Sequence, residues 1–222
     1  MANAHNARFV GQEDETFAAR VRAAGALRGL GHAIVGHDPD QDTFDAIVEQ
    51  VERWTAEIER SPARQRAVDH MKRKLFAAAP GEGQPMEHFP DCVVSGSANP
   101  MGIATSMRRE GDEAVARVSL GAAFEGAPGR AHGGVVAALM DDVMGYVLNI
   151  LETPAFTGEL KVRYNAPTPV GVEIEFRARL RERNGRRLHI DAEATHEGKT
   201  IATGEGLFIA IPVERFAEAT GG

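Results

Sequence analysis

The most apolar stretch of this chain runs from Gly133 to Leu151 and is broken by Asp141 and Asp142. At helical spacing its Val135, Val136, Leu139, Met140, Val143, Met144, Val147 and Leu148 fall on more than one face. A helix that is apolar nearly all round has to be buried on several sides. The rest of the chain must therefore supply a wrapping. The segments around it read as strands, and an antiparallel sheet curled about one long helix is an α+β arrangement with the helix as its filling.

The strand signals are clearest near the C-terminus. Ile174, Phe176, Ala178 and Leu180 alternate with Glu173, Glu175, Arg177, Arg179 and Arg181. Asn184–Gly185 signals a hairpin, after which Leu188, Ile190, Ala192 and Ala194 face one way. Glu197–Gly198 marks another turn before the last strand, IATGEGLFIAIP. Upstream, Arg108 to Glu113 reads as a hairpin connection into Ala114, Ala116, Val118 and Leu120.

The first part of the chain is helical in pattern. Glu13–Leu30 places Phe17, Val21, Ala24 and Leu27 on one stripe, and the glycines and proline of GLGHAIVGHDPD are expected to end it. Asp42 is the expected cap of a second helix in which Phe44, Ile47, Val48, Val51, Trp54 and Ile58 form one apolar stripe. Ser61–Pro62 restarts a third, which carries Val68, Met71, Leu75 and Phe76. AAAPGEGQPMEHFPD then reads as a linker. The expected organisation is a helical region with linker over 1–88 and an α+β domain over 89–222.

Composition narrows the function classes. Hydrophobic residues make up 43% of the 222 and charged residues 26%, enough for a packed core. Net charge is −7 and no half is basic, which argues against a nucleic-acid partner. The N-terminus lacks the plan of a secretory signal, the single Cys92 makes no intrachain disulfide, and no Cys/His cluster suggests zinc. The expectation is a cytoplasmic protein with no membrane insertion, no metal and no cofactor.

The chemistry concentrates in GAPGRAHGGVVAALMDDVMG, Gly126 to Gly145. Gly133 and Gly134 open the buried helix, where glycine is unfavourable. Either they let a ligand reach N–H groups that have no intrahelical partner, or they allow tight packing against the sheet; spacing alone leaves both open. Asp141 lies in a stripe of small residues with Gly134, Ala137, Ala138 and Gly145. A carboxylate on a largely buried helix is costly unless bonded or functional. Asp142, among apolar packing positions, reads as structural. Gly134 and Asp141 are seven residues apart, roughly 10 Å along one helix, whereas a catalytic hydrogen bond spans about 3 Å. Two copies packed antiparallel about a two-fold axis would bring the groups together.

HGGVVAALMDDVMG, the following FTGELKVRYNAPTPVG with its Tyr164-x-x-Pro167 pattern, and GEGLFIAIP resemble hotdog-fold acyl-CoA thioesterases of the phenylacetate-pathway, PaaI-like branch. The resemblance spans about Asp91 to Val213 and leaves out the helical region. It implies a hotdog domain and hydrolysis of an acyl-CoA to a free acid and coenzyme A. By this resemblance Gly133, with Gly134 beside it, polarises the thioester carbonyl. Asp141 activates water or attacks directly, His132 orients the carbonyl or the leaving thiolate, and Thr157 positions water or the carboxylate. Without the resemblance, Thr157 reads as a strand residue and His132 as a loop histidine. Gly126, next to Glu125 and a candidate for substrate binding, stands where many relatives have an Asn or Gln that helps hold the reactive groups, a departure that bears on efficiency more than on reaction type. Arg130, Lys161 and Arg163 are the candidates for the coenzyme A phosphates. The implied assembly is a homodimer or a dimer of dimers. Two other readings compete: a non-catalytic acyl-CoA binding or sensing protein on the same fold, and, less well supported, an enoyl-CoA hydratase.

Overall fold

The computed structural model describes residues 4–64, 78–86 and 89–211. The expected third helix, with Val68, Met71, Leu75 and Phe76, lies outside the described residues. The long apolar segment forms one helix, Gly133–Ile150, and eight of its side chains, from Val136 to Leu148, are buried. By length and composition this helix is apolar enough to cross a membrane. Here its apolar faces are packed on a sheet instead. Each fully buried Val, Leu or Met contributes about 1.5–3 kcal/mol relative to exposure, so the helix is the centre of the core.

Numbered along the chain, the helices are α1 (Ala4–Gly36), α2 (Gln41–Glu59) and α3 (Gly133–Ile150). The main sheet contains β1 (Pro85–Met86), β2 (Met107–Glu110), β3 (Glu113–Ser119), β6 (Ala155–Tyr164), β7 (Glu173–Asn184), β8 (Arg187–His196) and β9 (Lys199–Ala210). Its order is β1-β2-β3-β7-β8-β9-β6, antiparallel throughout. A small separate hairpin pairs β4 (Glu125–Ala127) with β5 (Arg130–Ala131).

The predicted alternation sets the inner face. Ala114, Ala116 and Val118 of β3, Ile174, Phe176 and Ala178 of β7, and Leu188, Ile190 and Ala194 of β8 are buried with α3. Leu180 is only half-buried. On the outer face Arg177 bonds Glu110, Glu113 and Glu175, tying β2, β3 and β7 together. Those carboxylates hold its guanidinium above the ordinary arginine range despite partial desolvation. On β9, a Cβ at Gly206 would sit 2.6 Å from Met144 Sδ, so the missing side chain lets the helix lie close to the strand. The turn at Glu197–Gly198 has positive φ at both residues, the backbone that suits a tight hairpin. The loop between β7 and β8 is Gly185–Arg186, one residue later than the sequence reading.

The N-terminal part departs from expectation in three ways. First, α1 continues through Gly25, Gly29 and Gly31 to Gly36 and stops before Pro39. Glycine weakens a helix by about 1 kcal/mol without forbidding it, whereas proline removes a donor and clashes. Second, Asp40 rather than Asp42 caps α2, accepting from the Thr43 N–H at 2.9 Å. Third, the apolar stripes are largely uncovered: Phe17 and Leu27 are exposed on α1, and Val48, Trp54 and Ile58 on α2. The face of α1 that docks is Arg20, Ala24, Arg28, His32 and Gly36, at intervals of four. Arg20 pairs with Asp91 at 3.2 Å, Ala24 is buried, and Arg28 donates to the carbonyls of Ser97 and Asn99 at 3.1 and 2.7 Å. The presumed linker also contributes to the sheet, since Pro85–Met86 pairs with β2.

Candidate active site

The start of α3 is built by the β4–β5 hairpin. Pro128–Gly129 turns the chain, with Gly129 at φ 73°. His132 then donates its backbone N–H to the Phe124 carbonyl at 2.8 Å. Its side chain caps the helix: Nδ1 accepts from the Gly134 N–H at 2.9 Å. A ring nitrogen that accepts carries no proton, so the neutral imidazole has its proton on Nε2.

This arrangement separates the two glycines. The Gly134 N–H is occupied by the cap. Among the described residues nothing accepts from the Gly133 N–H, while the Gly133 carbonyl accepts from the Tyr164 hydroxyl at 2.7 Å. Packing also explains the glycines themselves. A Cβ on Gly133 would lie 3.3 Å from the Tyr164 ring, and one on Gly134 would lie 3.0 Å from His132 Nδ1. The packing reading therefore holds. The glycines make room for two rings, and one of the two N–H groups stays open.

Gly126 answers the departure noted above. A Cβ there would come within 2.9 Å of the His132 Cα. No amide side chain can occupy that place, because the histidine backbone already stands against it. Gly126, Arg130, His132, Gly133, Tyr164 and Thr168 line a cleft of about 530 Å³.

Asp141 faces a different cavity, of about 170 Å³, with Thr157 and the apolar Phe89, Leu148, Phe156 and Phe208. The Thr157 hydroxyl donates to Asp141 Oδ1 at 2.9 Å. A β-bulge makes this contact possible. Thr157 pairs with Phe208, but the next register pair is Glu159 with Leu207, so the bulge falls at Gly158. Thr157 and Tyr164 are an odd number of residues apart and would face opposite sides of a regular strand. With the bulge, both reach α3. Lys161 and Arg163 fall on the other parity. Lys161 pairs with Glu205 at 3.3 Å, and neither residue lines either cavity.

Asp142 is held by a contact that composition and spacing did not reveal. It is half-buried beside Cys92 and Ser95, with Cys92 Sγ donating to Oδ1 at 3.6 Å. Burial pushes its carboxyl up to about 6, against the lowering effect of those two partners. Asp142, which also lines the Asp141 cavity, thus ties the 92–95 loop to α3 through the side chains of Cys92 and Ser95.

In one chain, then, the cap with its open N–H and the threonine-bound carboxylate line two separate cavities. Residues 128–203, which carry both, match the sequence model of the thioesterase superfamily. The fold is the hotdog arrangement, an antiparallel sheet around one long helix. A solved thioesterase superfamily protein aligns over 86% of this chain and 90% of its own, at 22% identity and a TM-score of 0.73. That likeness is in fold and extends beyond the hotdog domain. PaaI of Escherichia coli, from the phenylacetic acid degradation operon, aligns over 50% of this chain and 81% of its own, at 20% identity and a TM-score of 0.47. A hypothetical thioesterase from Streptococcus pneumoniae, solved with coenzyme A, aligns over 44% and 80%, at 17% identity and 0.43. No curated protein matches the chain.

Proposed function

We propose that this protein hydrolyses acyl-CoA thioesters to a free carboxylic acid and coenzyme A, as a homodimer with shared active sites. Each site combines His132 and Gly133 of one subunit with Asp141 and Thr157 of its twin. The observation that carries the reading is the Thr157–Asp141 hydrogen bond at an apolar pocket, because it aims one carboxylate oxygen and leaves the other for water.

In this reading the Gly133 N–H and the positive end of α3 receive the thioester oxygen as it gains charge. Asp141 takes a proton from water as the water oxygen bonds to the carbonyl carbon. The C–S bond then breaks, and the proton on Asp141 passes to the leaving thiolate. His132, protonated at Nε2, donates to the carbonyl oxygen or to the sulfur. Arg130 at the cleft rim is the cation available to the phosphates. A protein that only binds its ligand has no use for a carboxylate held in this way.

Symmetry enters because the two halves are roughly 10 Å apart along α3. Strand β6 supports a two-fold partner. Among the described residues it is the last strand of the sheet, and Phe156 and Tyr164 are 57% and 51% exposed on it. A long last strand with exposed aromatic side chains calls for a covering surface. The deciding experiment is to incubate purified protein with aliphatic and aromatic acyl-CoAs and measure free thiol. Release from at least one member supports the reading, and a blank across the panel ends it.

A further inference from the structure

The N-terminal helix reaches the start of α3 through a chain of hydrogen bonds. His32, four residues after Arg28 on the docking face of α1, accepts the Ala123 N–H on Nδ1 at 3.1 Å. Its ring stands edge-on to Phe124, with centroids 5.1 Å apart and planes at 72°. It also fills the space over Gly121, where a Cβ would lie 2.5 Å from the ring. Residues 122–124 form a short 3-10 turn whose own cap position, Gly121, offers no side chain. His32 supplies that cap from another part of the chain.

The turn passes the constraint on. The Phe124 N–H bonds the Gly121 carbonyl at 3.0 Å, and the Phe124 carbonyl accepts the His132 N–H at 2.8 Å. His132 then caps Gly134 and leaves the Gly133 N–H open. Three successive contacts therefore join a histidine of the helical region to Gly134, the neighbour of the open Gly133 N–H: His32 to Ala123, Phe124 to His132, and His132 to Gly134.

We propose that His32 is a positioning residue for the reaction, and that α1 sets the oxyanion loop through it. This rests on the hydrolase reading above for its catalytic consequence, but not for the link itself. What the link requires of His32 is a lone pair at Nδ1, since the Ala123 N–H needs an acceptor. Ring packing alone does not meet that requirement.

Two variants separate acceptor from bulk. His32→Leu keeps an apolar side chain against Phe124 and removes the acceptor. His32→Asn loses the ring and keeps an oxygen near the place of Nδ1. With an acyl-CoA that the wild type hydrolyses, His32→Leu should lower kcat about tenfold with KM little changed, because a misplaced donor is lost mainly in the transition state. His32→Asn should restore most of the loss. Equal losses in both variants, or wild-type kcat in His32→Leu, overturn the proposal. Amide chemical shifts of Gly133 and Gly134 provide a reading that needs no turnover. They should move in His32→Leu and stay near wild type in His32→Asn. Unmoved amides in His32→Leu sink the link, whereas moved amides in a protein without thioesterase activity uphold the link and sink the hydrolase reading alone.

Discussion

Thr157 on the edge strand donates its hydroxyl to Asp141 on the central helix at 2.9 Å, and does so through a bulge at Gly158 that turns the strand by one residue. The carboxylate is thereby held at one oxygen while the pocket beside it stays apolar. From this relationship follows a graded pair of substitutions. Asp141→Asn should reduce kcat by about 10²–10⁴-fold, the range typical of a lost general base. Thr157→Val should reduce it by only about tenfold, because the base remains but loses its orientation. Thiol release under saturating substrate measures both. Equal activity in Asp141→Asn and wild type would refute the mechanism.

Gly126 touches His132 at its backbone, so the next expectation concerns a single methyl group. In Gly126→Ala the new Cβ would stand 2.9 Å from the His132 Cα, and backbone cannot swing aside as a side chain can. In Gly133→Ala the obstacle is the Tyr164 ring at 3.3 Å, which has to give by a few tenths of an ångström. Gly126→Ala should therefore lower both the melting temperature and kcat more than Gly133→Ala does. Calorimetry with parallel kinetics decides the order.

The half-buried Asp142 predicts a pH dependence of stability. Its carboxyl is pushed up to about 6 from an ordinary 3.8 by burial, so the folded state holds a proton that the unfolded chain has released. Its contribution is fully present below about 4 and is lost as pH rises through about 6. The size is on the order of 3 kcal/mol, from 1.36 kcal/mol per pH unit. Asp142→Asn should raise the melting temperature at pH 8 and change it little at pH 4. A gain that is equal at both values would show that ionisation plays no part.

The proposed sharing of sites between subunits predicts complementation. Asp141→Asn and His132→Ala subunits, each impaired alone, should recover activity when co-expressed. Random pairing restores one intact site in each mixed dimer, roughly a quarter of the wild-type sites. No recovery, with mixed dimers demonstrated by mass, would place both groups in one subunit.

Much of this protein is legible along its chain. The helix Gly133–Ile150 follows from an apolar pattern too broad for one face, and β7 and β8 from strict alternation, because both are local consequences of burial with a fixed period. The apolar stripe on α1 misled for the same reason. It marks a helix correctly, but α1 docks through Arg20, Arg28 and His32, whose partners are an aspartate and backbone groups distant in sequence. The sequence by itself determined the sheet-and-helix class and the start of α3 near Gly133, and it singled out Gly133, Gly134 and Asp141 as candidates. Only the tertiary structure decided that Gly134 rather than Gly133 is capped by His132, that a bulge brings Thr157 to Asp141, and that His32 reaches the 122–124 turn before α3. Periodicity records which residues leave water; which donor meets which acceptor depends on register and docking, and these are set by contacts between residues far apart in the chain.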